Sequence, residues 1–377
     1  MTKKQIIIGA VIVIVLAAFA GACLDKQPAE SEEIKIGAIF PLTGEGAKYG
    51  EDAKLGIVLA VEEINAAGGI KGKSIRVVYE DSQAAPSQGV AAIQKLITVD
   101  KVPVIIGAMA SSVTLAIAPI AEENKVVLLS PASSAATITE AGDYIFRNEF
   151  SDAYGGKAQA ELTWNELGIR DVAILYVNND YGVGVADTFE KTFESLGGNV
   201  TAVEVFEQGA TDFRTQLTKI KDSNPDAILV FGYNEVILIL KQAKELGIET
   251  QILCNPMFED PEILEKLGDL AEGVIYVYYG GFDPKSEEEQ IKVFVSDTNE
   301  KYGREPGYYS ALSYDAMKII SVAIEKGGFN SEEIKSALYD IKDYPGLTGS
   351  TSFDENGDVI KPVTLKTVKN GEFVEWE

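Results

Sequence analysis

The 377-residue sequence contains no histidine. That removes the commonest metal ligand and the side chain that most often serves as a general base near neutral pH. Histidine-based triads and histidine zinc sites are excluded, although carboxylates can still do acid–base work. Cysteine is scarce: the two are Cys23 and Cys254, which support neither a disulfide framework nor a thiolate cluster. Positive charge is also short, with 33 Lys and Arg against 58 Asp and Glu and a formal net charge of −25. A field of that sign repels nucleic-acid phosphate and anionic lipid, so nucleic-acid binding is set aside.

What is present is an ordinary globular composition, 46% hydrophobic, at a length that suits about two or three domains. The amino end departs from it. Lys3 and Lys4 precede an unbroken apolar and glycine run from Ile6 to Ala22, and small residues lead up to Cys23. This resembles a signal peptide (1–22) ending in a lipobox, with Cys23 lipidated and residues 23–33 forming a polar tether. Ala20 stands where a lipobox usually has leucine. An uncleaved signal anchor is the alternative, and both readings export and tether the chain. Cys254 ends an apolar run and reads as a small buried hydrophobe.

From Ile34 onward, apolar runs alternate with segments of helical period, the mark of parallel α/β units. Strands are expected at 34–40, 74–80, 102–107, 126–130 and 144–147. Helices are expected at 48–67, 86–99 and 112–123. The pattern then restarts. Strands at 171–177, 201–206, 226–232, 250–254 and 273–279 alternate with helices at 154–167, 184–196, 212–222, 235–246 and 261–267. Helices at 287–302, 309–326 and 331–339 have no strand between them and are expected to return over an existing sheet. The tail alternates around two turns, Asn356-Gly357 and Asn370-Gly371. The predicted fold class is α/β: two doubly wound parallel-sheet lobes joined by a three-crossing hinge. Lobe 1 is expected to take 34–150 plus 281–344, and lobe 2 to take 151–280 plus 345–377. Several crossings in one hinge suit lobes that close on a ligand.

The loop "PLTGEGAKYG", Pro41 to Gly50, sits between the first strand and the first helix. Its glycines run GxGxxxG rather than the dinucleotide GxGxxG. The acids ending the second strand, Glu80 and Asp81, lie farther on than the nucleotide pattern requires. A tight turn, or a rim of a ligand cleft with Tyr49 turned inward, are the other readings. Ser111 and Ser112 follow the third strand at a helix start, where hydroxyls and free backbone N–H groups suit an anion; a plain serine cap is the competing reading. Ser130, Ser133 and Ser134 follow the fourth strand. Two hydroxyl clusters on neighbouring strand ends read as a clamp for a carboxylate and an adjacent donor. In the second half, Asp180 and Tyr181 end one strand, and Tyr233 and Glu235 end another; the tyrosines are cleft walls or packing residues. "DENGD", Asp354 to Asp358, reads as a hairpin turn and not an EF-hand.

Taken in order, "KIGAIFPLTGEGAKYG", "VIIGAMASSVT", "LLSPASSAATIT", "FRNEFSD", "NNDYGVG" and "TDFRTQLTKIK" resemble the type I periplasmic binding proteins, and among them the branched-chain amino acid receptors of ABC importers. The resemblance implies a small ligand, most simply an amino acid, held between the lobes and passed to ABC permease subunits at the extracytoplasmic face. It implies no cofactor and no enzyme activity. By this likeness Ser111 binds the ligand carboxylate, and the Ala132 carbonyl and Ser134 meet the amino group. Tyr181 closes from the second lobe, Tyr233 stands near another family aromatic, and Tyr49 lies at the mouth. One departure matters. The family's acidic partner for the ammonium is expected after "TQILC", where this chain has Asn255, Pro256 and Met257. Glu235, Glu259 and Asp260 are the nearby substitutes. An amide, a urea-like solute or an aromatic acid needs no such partner, and a ligand sensor for a signalling protein is a further alternative. An enzyme at the same cleft would draw on Glu149, Asp180 and Glu235.

Overall fold

The computed structural model describes residues 33–44 and 46–377. The expected leader, Cys23 and the tether up to residue 32 lie outside the described residues. Among the described residues no helix is long and apolar enough to cross a membrane.

The first unit is built from β1 (Ile34–Phe40), α1 (Ala47–Ala66), β2 (Ile75–Asp81), α2 (Pro86–Lys95), β3 (Val104–Gly107), α3 (Ser111–Glu123), β4 (Val127–Ser130) and β5 (Ile145–Arg147). Its sheet runs β2-β1-β3-β4-β5 and is parallel throughout. Side chains on a strand alternate between faces. Ile36, Ala38 and Phe40 therefore enter one core with α1, whereas Ile39 enters the other with α2 and α3. Such sheets are buried on both faces, which explains the near-continuous apolar strands seen in the sequence.

The second unit repeats the plan. It contains α4 (Asp152–Asn165), β6 (Asp171–Val177), α5 (Asp180–Ser195), β7 (Asn199–Phe206), α6 (Arg214–Asp222), β8 (Ala227–Phe231), α7 (Val236–Glu245), β9 (Gln251–Cys254), α8 (Pro261–Leu267) and β10 (Ile275–Tyr278). Ala173, Leu175 and Val177 face α6 and α7, while Val172 and Ile174 face α4 and α5. Cys254 is a free, buried thiol in the first of these cores, and burial pushes its pKa up.

The chain then returns. Helices α9 (Glu289–Tyr302), α10 (Tyr308–Lys326) and α11 (Ser331–Tyr339) cover the first unit, with Ile319, Ile320, Ala323 and Ile334 in its core. The hairpin strands β11 (Tyr344–Gly346), β12 (Gly349–Phe353) and β13 (Val359–Ile360) form a small sheet of their own. Finally β14 (Thr364–Lys369) and β15 (Glu372–Glu375) extend the second sheet antiparallel, giving the order β15-β14-β10-β9-β8-β6-β7.

The packing of 345–360 differs from the sequence expectation, which gave this stretch to the second lobe. Phe353 and Val359 lie in the core of the first unit, and the Phe353 ring meets Phe146 edge-on at 5.5 Å. Fully buried Arg147 grips Asp358 with two hydrogen bonds, Nε to Oδ1 at 2.6 Å and Nη2 to Oδ2 at 2.7 Å. The last crossing thus falls after β13, near Lys361, and not near Tyr344. Both hairpins alternate apolar and polar residues, and that local pattern carries no information about which sheet receives them.

The opening loop is settled by one carboxylate. Asp81, at the end of β2, accepts from Leu42 N at 2.8 Å, Thr43 N at 3.3 Å, Thr43 Oγ1 at 2.5 Å and Gln83 N at 2.9 Å. Burial pushes its pKa up, but these hydrogen bonds outweigh that and hold it below the ordinary value. The acid that a nucleotide fold would offer to a ribose is here a staple for the loop. Gly50 has a packing reason as well: a Cβ there would sit 2.0 Å from the Pro41 carbonyl oxygen.

Two outcomes follow. Asp358→Ala leaves the buried Arg147 guanidinium without its carboxylate and is expected to cost about 3–5 kcal/mol in equilibrium urea unfolding. A loss under about 1 kcal/mol would mean that apolar packing alone holds the hairpin. Asp81→Ala is expected to raise hydrogen–deuterium exchange in a peptide covering Leu42 and Thr43 while leaving the β3 peptide unchanged. Because the Asp81 pKa is depressed on folding, its contribution is present above the unfolded pKa and lost as pH falls through the folded one. Acidification of the wild type should therefore reproduce the same local exchange.

Candidate functional site

In open parallel sheets, ligands bind beyond the carboxyl ends of the strands. In the first unit these ends carry three serine-rich turns. After β3, Val113 N and Thr114 N both donate to the Ala110 carbonyl, so α3 is properly closed one turn in. The N–H groups of Ser111 and Ser112 precede the first intrahelical donor, Val113 N, and are open by construction. Ser111 Oγ accepts from Ala135 N at 3.2 Å and keeps its own proton to donate. Ser112 is exposed beside it.

The turn after β4 is held from beneath. Ser130 Oγ donates to Ala108 O at 2.7 Å and accepts from Ser133 N at 3.0 Å. Ser133 is fully buried, and its hydroxyl lies 2.8 Å from Thr114 Oγ1, 3.2 Å from Ala108 O and 3.1 Å from Met109 O. That hydroxyl is consumed in tying two turns together. It is not available to a ligand, contrary to the sequence reading of Ser133 as a contact. Ala132 and Ser134, on either side of it, are only half-buried. Among the described residues the Ala132 carbonyl accepts no hydrogen bond. The Ser134 carbonyl accepts from Asp152 N at 2.8 Å.

Asp152 begins α4, so this contact carries the site across to the second unit. Its neighbour there is Tyr181 at the start of α5, whose phenol is pushed to higher pKa by burial and further by the Asp152 charge. The Tyr181 hydroxyl accepts from Asn255 Nδ2 at 2.8 Å, and the same amide donates to Gly232 O. The ring of Tyr233 lies 5.8 Å from that of Tyr181, and its hydroxyl accepts from Asn179 Nδ2 at 3.3 Å. Ser111 and Ser134 thus stand at the strand ends of the first unit, Asp152 is tied to Ser134 through its backbone N–H, and Tyr181 and Tyr233 pack together at the strand ends of the second.

Glu235 does not join it. Its carboxylate accepts from Gly209 N at 2.8 Å and Tyr233 N at 3.1 Å, and it acts as a loop anchor. The other substitutes are also engaged. Glu259 accepts from Tyr276 Oη at 2.9 Å and pairs with Lys366 at 2.5 Å. Asp260 caps α8 by accepting from Glu262 N. Tyr49 stands at the outer rim, 52% exposed, with its ring edge-on to Tyr309 at 5.5 Å.

The crossings meet behind the path. Phe150, on the first crossing, packs on Tyr279 of the second at 4.7 Å, and Lys361 of the third lies over the same ring at 5.9 Å. Glu149 accepts from Phe150 N and from Tyr308 Oη, 3.1 Å from Oε2, and burial raises its pKa against the opposing charge of Lys361. The sequence reading missed Asp152 and Tyr308 as site residues. The signal for Asp152 was present in "FRNEFSD", yet an acid in the first turn of a helix reads as ordinary dipole complementation.

Residues 33–372 match the family described as periplasmic binding protein. The chain is 29% identical over 347 residues to the leucine-, isoleucine-, valine-, threonine- and alanine-binding protein of Pseudomonas aeruginosa, covering 91% of each chain. It is similar to the solved branched-chain amino acid transporter substrate binding protein LivJ of Streptococcus pneumoniae in complex with isoleucine, with 34% identity and a TM-score of 0.69 over 91% of this chain and 98% of that one. A solute binding protein of an ABC transporter from Rhodopseudomonas palustris, solved in complex with 3,4-dihydroxy benzoic acid, is 27% identical with a TM-score of 0.71 over 91% and 96%. Two α/β units with polar strand ends, and a family match across nearly every described residue, lead to one conclusion: the chain belongs to the periplasmic binding protein family.

Proposed function

We propose that this chain captures a branched-chain amino acid, or one of similar size, between its two units and delivers it to an ABC permease from the extracytoplasmic face of the membrane. The observation that carries this reading is the pair of strand-end clusters, Ser111 and Ser134 on the first unit and the packed rings of Tyr181 and Tyr233 on the second, with the Asp152 N–H held by the Ser134 carbonyl between them. The ligand carboxylate meets the Ser111 hydroxyl and the open N–H groups of α3, where the helix dipole favours an anion. The Ala132 carbonyl and the Ser134 hydroxyl face the amino group. Tyr181 and Tyr233 supply an apolar wall for the side chain. Tyr49 guards the entrance.

Each charge-assisted hydrogen bond contributes about 1.5–3 kcal/mol. Three or four of them, with a buried side chain and after the cost of ordering, reach about −8 kcal/mol, or micromolar affinity. Capture of this kind needs no nucleophile, and the carboxylates of Glu149 and Glu235 hold backbone N–H groups. The solved relative carrying 3,4-dihydroxy benzoic acid supports a second reading, an aromatic acid ligand. The leader and Cys23 supply the anchor, with residues 23–33 as the tether that lets the body reach its permease.

Thermal-shift and calorimetric titration with L-leucine, L-isoleucine, L-valine, 3,4-dihydroxybenzoate and small amides separates these readings. The branched-chain amino acids are expected to raise the Tm saturably without turnover. Ser111→Ala should weaken the binding amino acid roughly 10- to 100-fold, in line with loss of one charge-assisted hydrogen bond. Unchanged affinity in that variant would move the site elsewhere. For the anchor, Cys23→Ser is expected to abolish incorporation of labelled fatty acid in a bacterial expression host, and retained label would overturn the lipidation reading.

A further inference from the structure

The third crossing carries a buried lysine. Lys361, Thr348 and Asp315 are only 3%, 1% and 1% exposed. An ammonium at that depth is costly unless it is hydrogen-bonded and faces an anion. Lys361 Nζ donates to Thr348 Oγ1 at 2.6 Å, and the Thr348 hydroxyl donates in turn to Asp315 Oδ2 at 2.7 Å. Asp315, on α10, is also fixed by Leu347 N at 2.8 Å and Thr348 N at 2.9 Å. The turn that supplies these donors runs so close that a Cβ on Gly346 would lie 2.6 Å from Asp315 Oδ2. The lysine charge is thus seated firmly in the first unit. A well-packed apolar side chain would seal the same junction without the desolvation cost.

The other end of the residue belongs to the second unit. The Lys361 carbonyl accepts from Tyr154 Oη at 3.2 Å, and Tyr154 lies on α4. Between these two ends, Lys361 Nζ stands 5.9 Å from the centre of the Phe150 ring on the first crossing, and Tyr154 stacks on that ring at 5.6 Å. Pro362 follows and confines Lys361 to extended backbone. The second crossing passes the same group. Gly280 has φ +73°, and a Cβ there would lie 3.5 Å from the Thr348 carbonyl oxygen. A residue tied to both units keeps both ties only if the units turn about it. Rotation centred elsewhere would stretch the 2.6 Å or the 3.2 Å contact past the range in which a hydrogen bond survives.

We propose that Lys361 is the pivot of the third crossing, a positioning residue whose two ties, ammonium to the first unit and carbonyl to the second, limit how the units turn on each other. It meets no solute. Its part in capture is preorganisation: the fewer orientations the empty gap samples, the less ordering closure has to impose. The inference goes beyond the solute reading and is independent of which molecule the gap takes.

Double electron–electron resonance on the full chain without ligand tests it. Lys48→Cys and Gln208→Cys, exposed sites past the ends of β1 and β7, carry the spin labels in a Cys23→Ser background, and buried Cys254 stays unlabelled. Lys361→Met keeps an apolar stem and removes the ammonium. Tyr154→Phe removes only the hydroxyl that holds the carbonyl and leaves the buried charges in place. Both variants are expected to broaden the inter-label distance distribution relative to wild type, with urea unfolding read alongside to show that each is folded. Where Lys361→Met does not fold, Tyr154→Phe decides alone. A distribution as narrow as that of wild type in the folded variants would overturn the inference.

Titration of the same variants with L-leucine gives a second measurement. Affinity is expected to fall roughly 3- to 10-fold in both, although neither side chain meets the solute. Unchanged affinity in both would overturn the preorganising role. A wild type that does not bind leucine would count against the amino acid reading alone, and the label distances would still decide the pivot.

Discussion

Everything in this molecule depends on keeping the carboxyl ends of two separate parallel sheets at a common gap. Three chain crossings do this, and they converge on one aromatic side chain. Phe150 leaves the first unit, Tyr279 packs on it from the second crossing, and Lys361 reaches its ring from the third. The contact is apolar on one side and cationic on the other, and Tyr154, also packed on Phe150, donates from its hydroxyl to the Lys361 carbonyl. A junction of this sort is compact enough to define a relation between the units. It is also made of few residues, which is what a hinge requires.

Behind the gap lies a second constraint, the burial of charge. Arg147 is fully buried and satisfied by Asp358, Thr139 and the Ala135 carbonyl. The Ala135 N–H, in turn, donates to Ser111. One residue therefore links the structural ion pair to the proposed carboxylate site. Lys361 and Asp315 form a comparable buried arrangement around Thr348, with burial lowering the lysine pKa and raising that of the aspartate. In both cases a buried charge is held by several fixed partners.

The scaffold takes up some of the polar groups that the sequence offered as site residues. Ser111, Ala132, Ser134, Tyr181 and Tyr233 lie at or just past strand ends. Ser133 and Glu235 were equally plausible by type and position, yet their polar atoms serve the scaffold. A serine at a strand end offers the same hydroxyl whether it binds a neighbouring turn or a solute. The choice is made by what lies within about 3 Å of it, and sequence spacing does not report that.

The sequence by itself determined the α/β class, the two-unit repeat, the order of strands and helices and the exclusion of histidine chemistry. Those features are written in local terms, as alternation along strands, 3.6-residue periodicity and glycine stops, because each element must bury its own apolar face. Tertiary structure alone decided which unit receives the 349–360 hairpin, that Asp81 staples the opening loop, and that Ser133 and Glu235 serve the scaffold. Those outcomes turn on partners 39 residues apart for Asp81 and Leu42, and 211 apart for Arg147 and Asp358. A carboxylate's role is fixed by the donors that reach it, and the donors come from elements that only folding brings near.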